Sequence, residues 1–167
     1  MPTNTETKGK VKVADEVWIA AALLHREQPS AADFSIEQIV ARAAKESLTS
    51  TNRPGVYVHV VQHSVANRPA NPGRYRMLFE TASGRRRLYL KGDPYHPSRE
   101  GAKTTPKPED IPPRYRDLLD WYRRWSERES ERVSDKDPLL LLAGSGARLW
   151  SSEHADEYVR RLREGWE

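Results

Sequence analysis

Between Gly92 and Pro113 the chain carries six of its twelve prolines, in the run G-D-P-Y-H-P-S-R-E-G-A-K-T-T-P-K-P-E-D-I-P-P. A proline fixes its own φ and has no N–H to donate, so neither a helix nor a central strand can run through such a stretch. Whatever folds here must fold before it or after it. The composition predicts an extended, semi-stiff linker over residues 94–113, dividing a first domain over 13–93 from a helix over 114–133 and a tail over 137–167, with a flexible N-terminus at 1–12.

A length of 167 residues allows one compact domain with appendages, and 37% hydrophobic against 31% charged residues is polar for a wholly globular chain. No cysteine is present, which excludes disulfides, a thiol nucleophile and cysteine metal sites, and fits a reducing cytoplasm. No run is long and apolar enough to span a bilayer, and the start M-P-T-N-T-E-T-K-G-K lacks the apolar stretch of a signal peptide. A soluble, cytoplasmic protein with no membrane partner is expected.

Periodicity orders the first domain. Residues 13–26 place Val17, Ala20, Ala21 and Leu24 on one face with Trp18 beside it, a first helix. Ser35 caps a second, with Ile36, Ile39, Val40 and Ala43 as its stripe and Glu37 and Gln38 in the first turn. After the turn S-L-T-S-T-N-R, Pro54 sits where a third helix over 55–66 would open, although its valines also suit a strand. Residues 74–81 and 85–90 alternate at Tyr75, Met77 and Phe79 and at Leu88 and Leu90 around A-S-G, a hairpin. Beyond the prolines, Tyr115, Leu118, Leu119, Tyr122 and Trp125 share one helical face, free to cover its own domain or a twin in a homodimer. The fold class is mainly α with a small β-hairpin, an α+β chain.

Charge is uneven within the net +4: from Arg53 to Lys103 ten Lys and Arg face only Glu80, Asp93 and Glu100. That surplus marks a candidate polyanion surface, against the bland alternative of a solvated face. Three helices followed by a basic hairpin resemble a winged-helix domain, the helix-turn-helix variant whose third helix enters the DNA major groove while the hairpin lies along the backbone. The resemblance covers residues 13–93. It implies that His59, Gln62, His63 and Asn67 face base edges, that Arg53 and Arg68 hold phosphates at the two helix ends, and that Arg85 and Arg86 at the wing tip, Arg87 beside them and Arg74 and Arg76 on the neighbouring strand contact the backbone. Val56, Val60, Val61 and part of Tyr57 are expected to face inward.

Catalytic chemistry finds little support. His59 and His63 are one turn apart, as zinc requires, but the glutamate of H-E-x-x-H and a third ligand are missing. Gly144-Ser145-Gly146 has Leu142 where a nucleophile elbow needs glycine, and reads as a hinge. Asp117 and Asp120 have arginines nearby and read as surface ion pairs. The expectation is a non-enzyme with no cofactor and no metal.

The tail adds a second function. Ser151 or Ser152 can cap a helix with Glu153, Asp156 and Glu157 in its first turn and Arg160, Arg161 and Arg163 in its last, which suits the helix dipole. Ala155, Tyr158, Val159, Leu162 and Trp166 form its apolar stripe. A helix that short needs something to dock on, its own domain or another protein. The Gly-x-Gly joint, Leu149-Trp150, the acidic turn and Y-V-R-R-L-R-E-G-W resemble the toxin-binding tail of VapB-type antitoxins. That resemblance implies a PIN-type ribonuclease toxin as partner, with Arg160, Arg161 or Arg163 entering its acidic, metal-binding site. Leu149, Trp150, Tyr158, Val159, Leu162 and Trp166 would supply the rest of the contact. The chain then reads as a type II antitoxin that binds operator DNA; the alternative is a stand-alone winged-helix transcription regulator whose C-terminal helices complete the core or dimerise.

Overall fold

The computed structural model describes residues 11–49 and 53–135. The expectations for residues 1–10 and for the toxin-binding tail 137–167, with Leu149, Trp150, Tyr158, Val159, Arg160, Arg161, Leu162, Arg163 and Trp166, lie outside the described residues. One compact unit extends as far as Glu127, and a second starts at Arg128.

The centre is α1, Val13–Glu27, in which every residue from Ala14 to His25 is buried. An amphipathic stripe would bury one side only; this helix is enclosed all round because six of the nine residues from Ala14 to Ala22 are small or β-branched and let other elements approach. Its buried carboxylates are partly answered, with Asp15 Oδ2 left without a hydrogen-bond partner. Glu16 accepts from the Leu48 N–H at 3.1 Å and from the Thr49 hydroxyl, and Asp15 meets Lys103 Nζ at 3.0 Å.

A two-residue strand β1, Phe34–Ser35, runs directly into α2, Ile36–Glu46. Ser35 caps α2 through a complete capping box with Gln38, and Ser47, at φ 51°, ends the helix in the left-handed region. Helix α3, Arg53–Val58, is followed by a π turn over His59–His63. Strands β2, Leu78–Ala82, and β3, Arg85–Leu88, form the expected hairpin, turning at Gly84 with φ +71°, a conformation glycine adopts without strain. Both neighbours of β3 run antiparallel to it, giving the order β1-β3-β2, with Phe34 opposite Arg86 and Leu78 opposite Leu88. The class is α+β, with a small sheet packed on helices. No helix among the described residues is long and apolar enough to cross a membrane.

Residues 94–113 differ from the expected linker. They hold two 3-10 turns, Pro97–Arg99 and Pro108–Asp110, and bury Arg99, Pro106 and Ile111 within the first unit. The prolines exclude regular structure as expected, yet the segment lies on the domain as a strap, because Ile111 joins the core and Lys103 reaches Asp15 and Asp110. A third 3-10 turn at Pro113–Tyr115 leads into α4, Asp117–Asp135. The α4 stripe covers its own domain: Leu118 is fully buried, Trp125 lies 4.8 Å from the His25 ring, and Tyr122 meets Trp18 edge-on at 5.6 Å.

Candidate nucleic-acid interface

The third helix ends in a way that redirects its side chains. A π turn admits one extra residue, so the residues after it are rotated away from the face an unbroken α-helix would give them. Val56 and Val60 are buried as expected, but Tyr57 is 53% exposed and Val58 39% exposed, so the solvent face of α3 is aromatic and aliphatic. His59 and His63 are half-buried instead of facing out, their rings edge-on at 5.1 Å, with Tyr75 a further neighbour of His59 at 5.7 Å. His59 Nδ1 bonds the Ser64 hydroxyl at 3.0 Å, and burial, together with the neighbouring His63, pushes its pKa down to about 4. The His63 ring backs against Gly73, where an added Cβ would lie 2.8 Å from the His63 Cβ. The Gln62 amide donates to the Pro69 carbonyl at 2.6 Å. Asn67 stays exposed, but its amide clamps the backbone of Glu80, donating to the carbonyl at 3.0 Å and accepting from the N–H at 2.9 Å. None of these four is a free base-reading group.

The basic residues are mostly engaged too. Arg68 pairs with both Glu80 oxygens, at 2.7 and 2.8 Å. On β3 the alternation of a strand puts Arg86 and Leu88 inward and Arg85 and Arg87 outward. Arg85 grips Asp33 at 2.5 to 2.8 Å while Thr81 donates to the same carboxylate. Arg87 grips Asp93 at 2.6 and 2.8 Å and lies over the Phe79 ring. Arg86 is 1% exposed: it meets Glu80 at 3.1 Å and donates to the carbonyls of Val60, at 3.1 Å, and Val61, at 3.3 Å. Arg86 is therefore a core residue, not a backbone-contacting wing tip. The Arg68 hydrogen bond holds the Glu80 carboxyl below the usual carboxylate range. Arg76 is packed on Tyr95 and Tyr89, 4.1 and 5.7 Å from their ring centres. Arg53 opens α3, and Arg74 is exposed.

Arg99, which lies in the expected linker, was not foreseen as important. It is fully buried, and it donates to the carbonyls of Gln62 at 2.7 Å, His63 at 2.8 Å, Arg68 at 2.6 Å, Tyr75 at 2.6 Å, Pro69 at 3.2 Å and Gly73 at 3.3 Å. Together Arg86 and Arg99 take the four successive carbonyls 60–63. A helix leaves its last four carbonyls without partners inside the helix, and its C-terminal dipole favours a cation, so two guanidiniums end α3. Nothing in the P-S-R-E-G context of Arg99 distinguishes it from a solvated arginine. Glu80, Asp33 and Asp93 were equally hidden, because their partners are set by strand register and by contacts 52 residues apart in one case.

What stays open to solvent is Tyr57 and Val58 on α3, Arg74, Lys45 at the end of α2, and the half-engaged side chains of Arg85, 44% exposed, and Arg68, 37% exposed. Such guanidiniums can still donate to a phosphate oxygen, so the surface suits backbone contact better than base reading. Among the described residues no group of three His, Asp or Glu could hold a metal ion. No family model, curated protein or solved structure matches the chain.

Proposed function

We propose that this chain is a DNA-binding antitoxin: a winged helix engages duplex operator DNA, and the tail 137–167 binds and inhibits a PIN-type ribonuclease. One observation carries the DNA half. The order α1-β1-α2-α3-β2-β3, with β3 between β1 and β2, supports reading the domain as a helix-turn-helix with the hairpin as its wing. The contacts we assign differ from those expected of the sequence. Tyr57 is the group on α3 that meets the groove, Arg53 lies at the start of that helix, and Arg74, Arg85 and Arg68 meet phosphates; His59, Gln62, His63, Asn67, Arg86 and Arg87 support the scaffold. The toxin half rests on the tail's resemblance to VapB-type antitoxins, with Arg160, Arg161 and Arg163 as candidate plugs.

The test is co-expression of the full chain with the product of its neighbouring gene, assayed for ribonuclease activity, in wild type and in a variant with Arg160, Arg161 and Arg163 all replaced by glutamate. A complex that silences the nuclease, and a variant that releases it, is the expected result. No complex with the wild-type chain would overturn the toxin half.

A second reading, the stand-alone regulator, is favoured by one feature: the α4 stripe is used within its own domain, through Leu118, Tyr122 and Trp125, as a helix that completes a core. In that reading the tail resists protease without a partner. In the antitoxin it is cut alone and protected by the toxin.

A further inference from the structure

His59 and His63 stand at the two ends of the π turn, and neither is called on to contact DNA or toxin. Residues four apart on a helix are neighbours on one face, and the π turn keeps these two so: their rings lie 5.1 Å apart with planes at 82°. Two imidazoles on one tetrahedral ion, each nitrogen about 2.0–2.1 Å from the metal, have ring centres roughly 5 Å apart. The pair already has the separation of a chelate.

The ring nitrogens are used unevenly. His59 Nδ1 bonds the Ser64 hydroxyl at 3.0 Å, which orients that ring and leaves Nε2 as its coordinating atom, much as a second partner orients the histidines of metal sites. His63 Nδ1 is buried without a hydrogen-bond partner. Neither Nε2 has a partner among the described residues, and neither is shut away like that Nδ1. The backbone beneath the pair is held as well. Arg99 donates to the His63 carbonyl at 2.8 Å, and the Ser64 N–H donates to the His59 carbonyl at 3.0 Å. Gly73 backs the His63 side chain so closely that a Cβ there would lie 2.8 Å from the His63 Cβ. Burial, with the neighbouring His63, pushes the His59 pKa down to about 4, so near neutral pH the ring is uncharged, the form that binds metal.

We propose that His59 and His63 chelate one divalent first-row transition ion such as zinc, with water completing its coordination. No third histidine and no carboxylate joins the pair among the described residues, so oxygen-seeking magnesium and calcium are disfavoured and an imidazole-binding ion is selected. Two protein ligands are fewer than a catalytic or structural zinc centre has, and the ion's effect is to clamp the end of α3. The site does not depend on the DNA or toxin readings.

The experiment titrates zinc chloride into the full-length, untagged chain at neutral pH by calorimetry, with magnesium chloride as reference. Saturable zinc binding without magnesium binding is expected. His59→Gln and His63→Gln should each weaken it at least about tenfold, and the double variant should lose no more than either alone, because removing one arm already breaks the chelate. His96→Asn, which alters a histidine of the strap and keeps an acceptor for the Ser98 N–H, should leave binding unchanged. Loss in only one of the two single variants, loss in neither, or equal binding of magnesium would overturn the site. Should the variants not fold, the histidine ring resonances of the wild-type chain carry the test: zinc-dependent shifts at both His59 and His63 support the chelate, and shifts at one or neither end it.

Discussion

The hairpin β2–β3 and the proline-rich strap 94–113 have exchanged the roles their compositions suggest. The hairpin is the most basic short segment of the chain, and its arginines look like an anion-binding surface; most of them are held by Glu80, Asp33 and Asp93 or by carbonyls. The strap looks like a solvated spacer, yet it supplies Arg99 and Ile111 to the interior. Formal charge counted along a sequence therefore does not map a surface. What decides is whether a carboxylate or a set of carbonyls lies within reach of each cation, and that is a property of the tertiary structure.

The largest expected effect lies in the strap. Replacing Arg99 with methionine keeps most of the side-chain bulk and takes a charged donor from six buried carbonyls, of which Pro69 keeps the Gln62 amide and Gln62 and His63 keep the N–H groups of Val65 and Tyr75, so stability should fall by about 3–5 kcal/mol. Arg99→Lys should not restore it, because an ammonium has three donors and no planar fork with which to span both sides of the site. Urea denaturation of the three proteins measures this; a variant of either kind within about 1 kcal/mol of wild type would reduce the strap to the spacer that its composition suggests.

Acid should act on the other side of the same core. His25 is 1% exposed, lies between Phe34 and Trp125, and is pushed down to about 4, mainly by burial. The unfolded histidine takes a proton near pH 6.5 and the folded one does not, so the unfolded state binds more protons between those values. Stability is whole above pH 6.5 and declines by about 1.4 kcal/mol per pH unit as pH falls towards 4, up to about 3 kcal/mol for this residue. His59, also at about 4, adds loss in the same direction. Glu80, held low by Arg68, contributes its own loss only as pH drops through the carboxylate range. Denaturation midpoints at pH 7 and pH 5 check this. A flat profile in wild type, or the full slope persisting in His25→Phe, would contradict it.

Arg86 should be intermediate. Arg86→Met removes a buried guanidinium, but Glu80 keeps Arg68, so a loss of about 2–3 kcal/mol is expected, less than at Arg99. If its loss exceeds that of Arg99, the hairpin and not the strap is the principal anchor of the end of α3.

These contrasts also show what a sequence can disclose. Helix α1, the capping of α2 by Ser35, the hairpin and the α4 stripe follow from periodicity and from local caps, whose determinants lie within a few residues of one another. Strand β1 is two residues long, too short for any alternation to register. The carbonyls of the π turn at His59–His63 are taken by arginines 25 or more residues away, and so the outward face of α3 does not follow from the local sequence. Among the expected interface residues, Arg74 is exposed and Arg85 and Arg68 partly so; the two histidines and Gln62 are half-buried in a turn whose carbonyls Arg99 holds from the strap side.

The smallest effect on stability should come with the clearest effect on binding. Arg85 and Asp33 form a pair whose arginine is 44% exposed, so Arg85→Ala should reduce stability by less than about 1 kcal/mol. If the wing lies along DNA, the same change should lower affinity for every duplex and reduce the salt slope by about one unit, without altering sequence preference. Arg86→Met at matched folded concentration should leave that slope alone, since a 1% exposed guanidinium neutralises no phosphate. Affinity measured across a series of salt concentrations separates the two arginines. A salt slope unchanged in Arg85→Ala would withdraw the hairpin from the interface and leave α3, with Tyr57 and Val58 outward, as a protein-binding face.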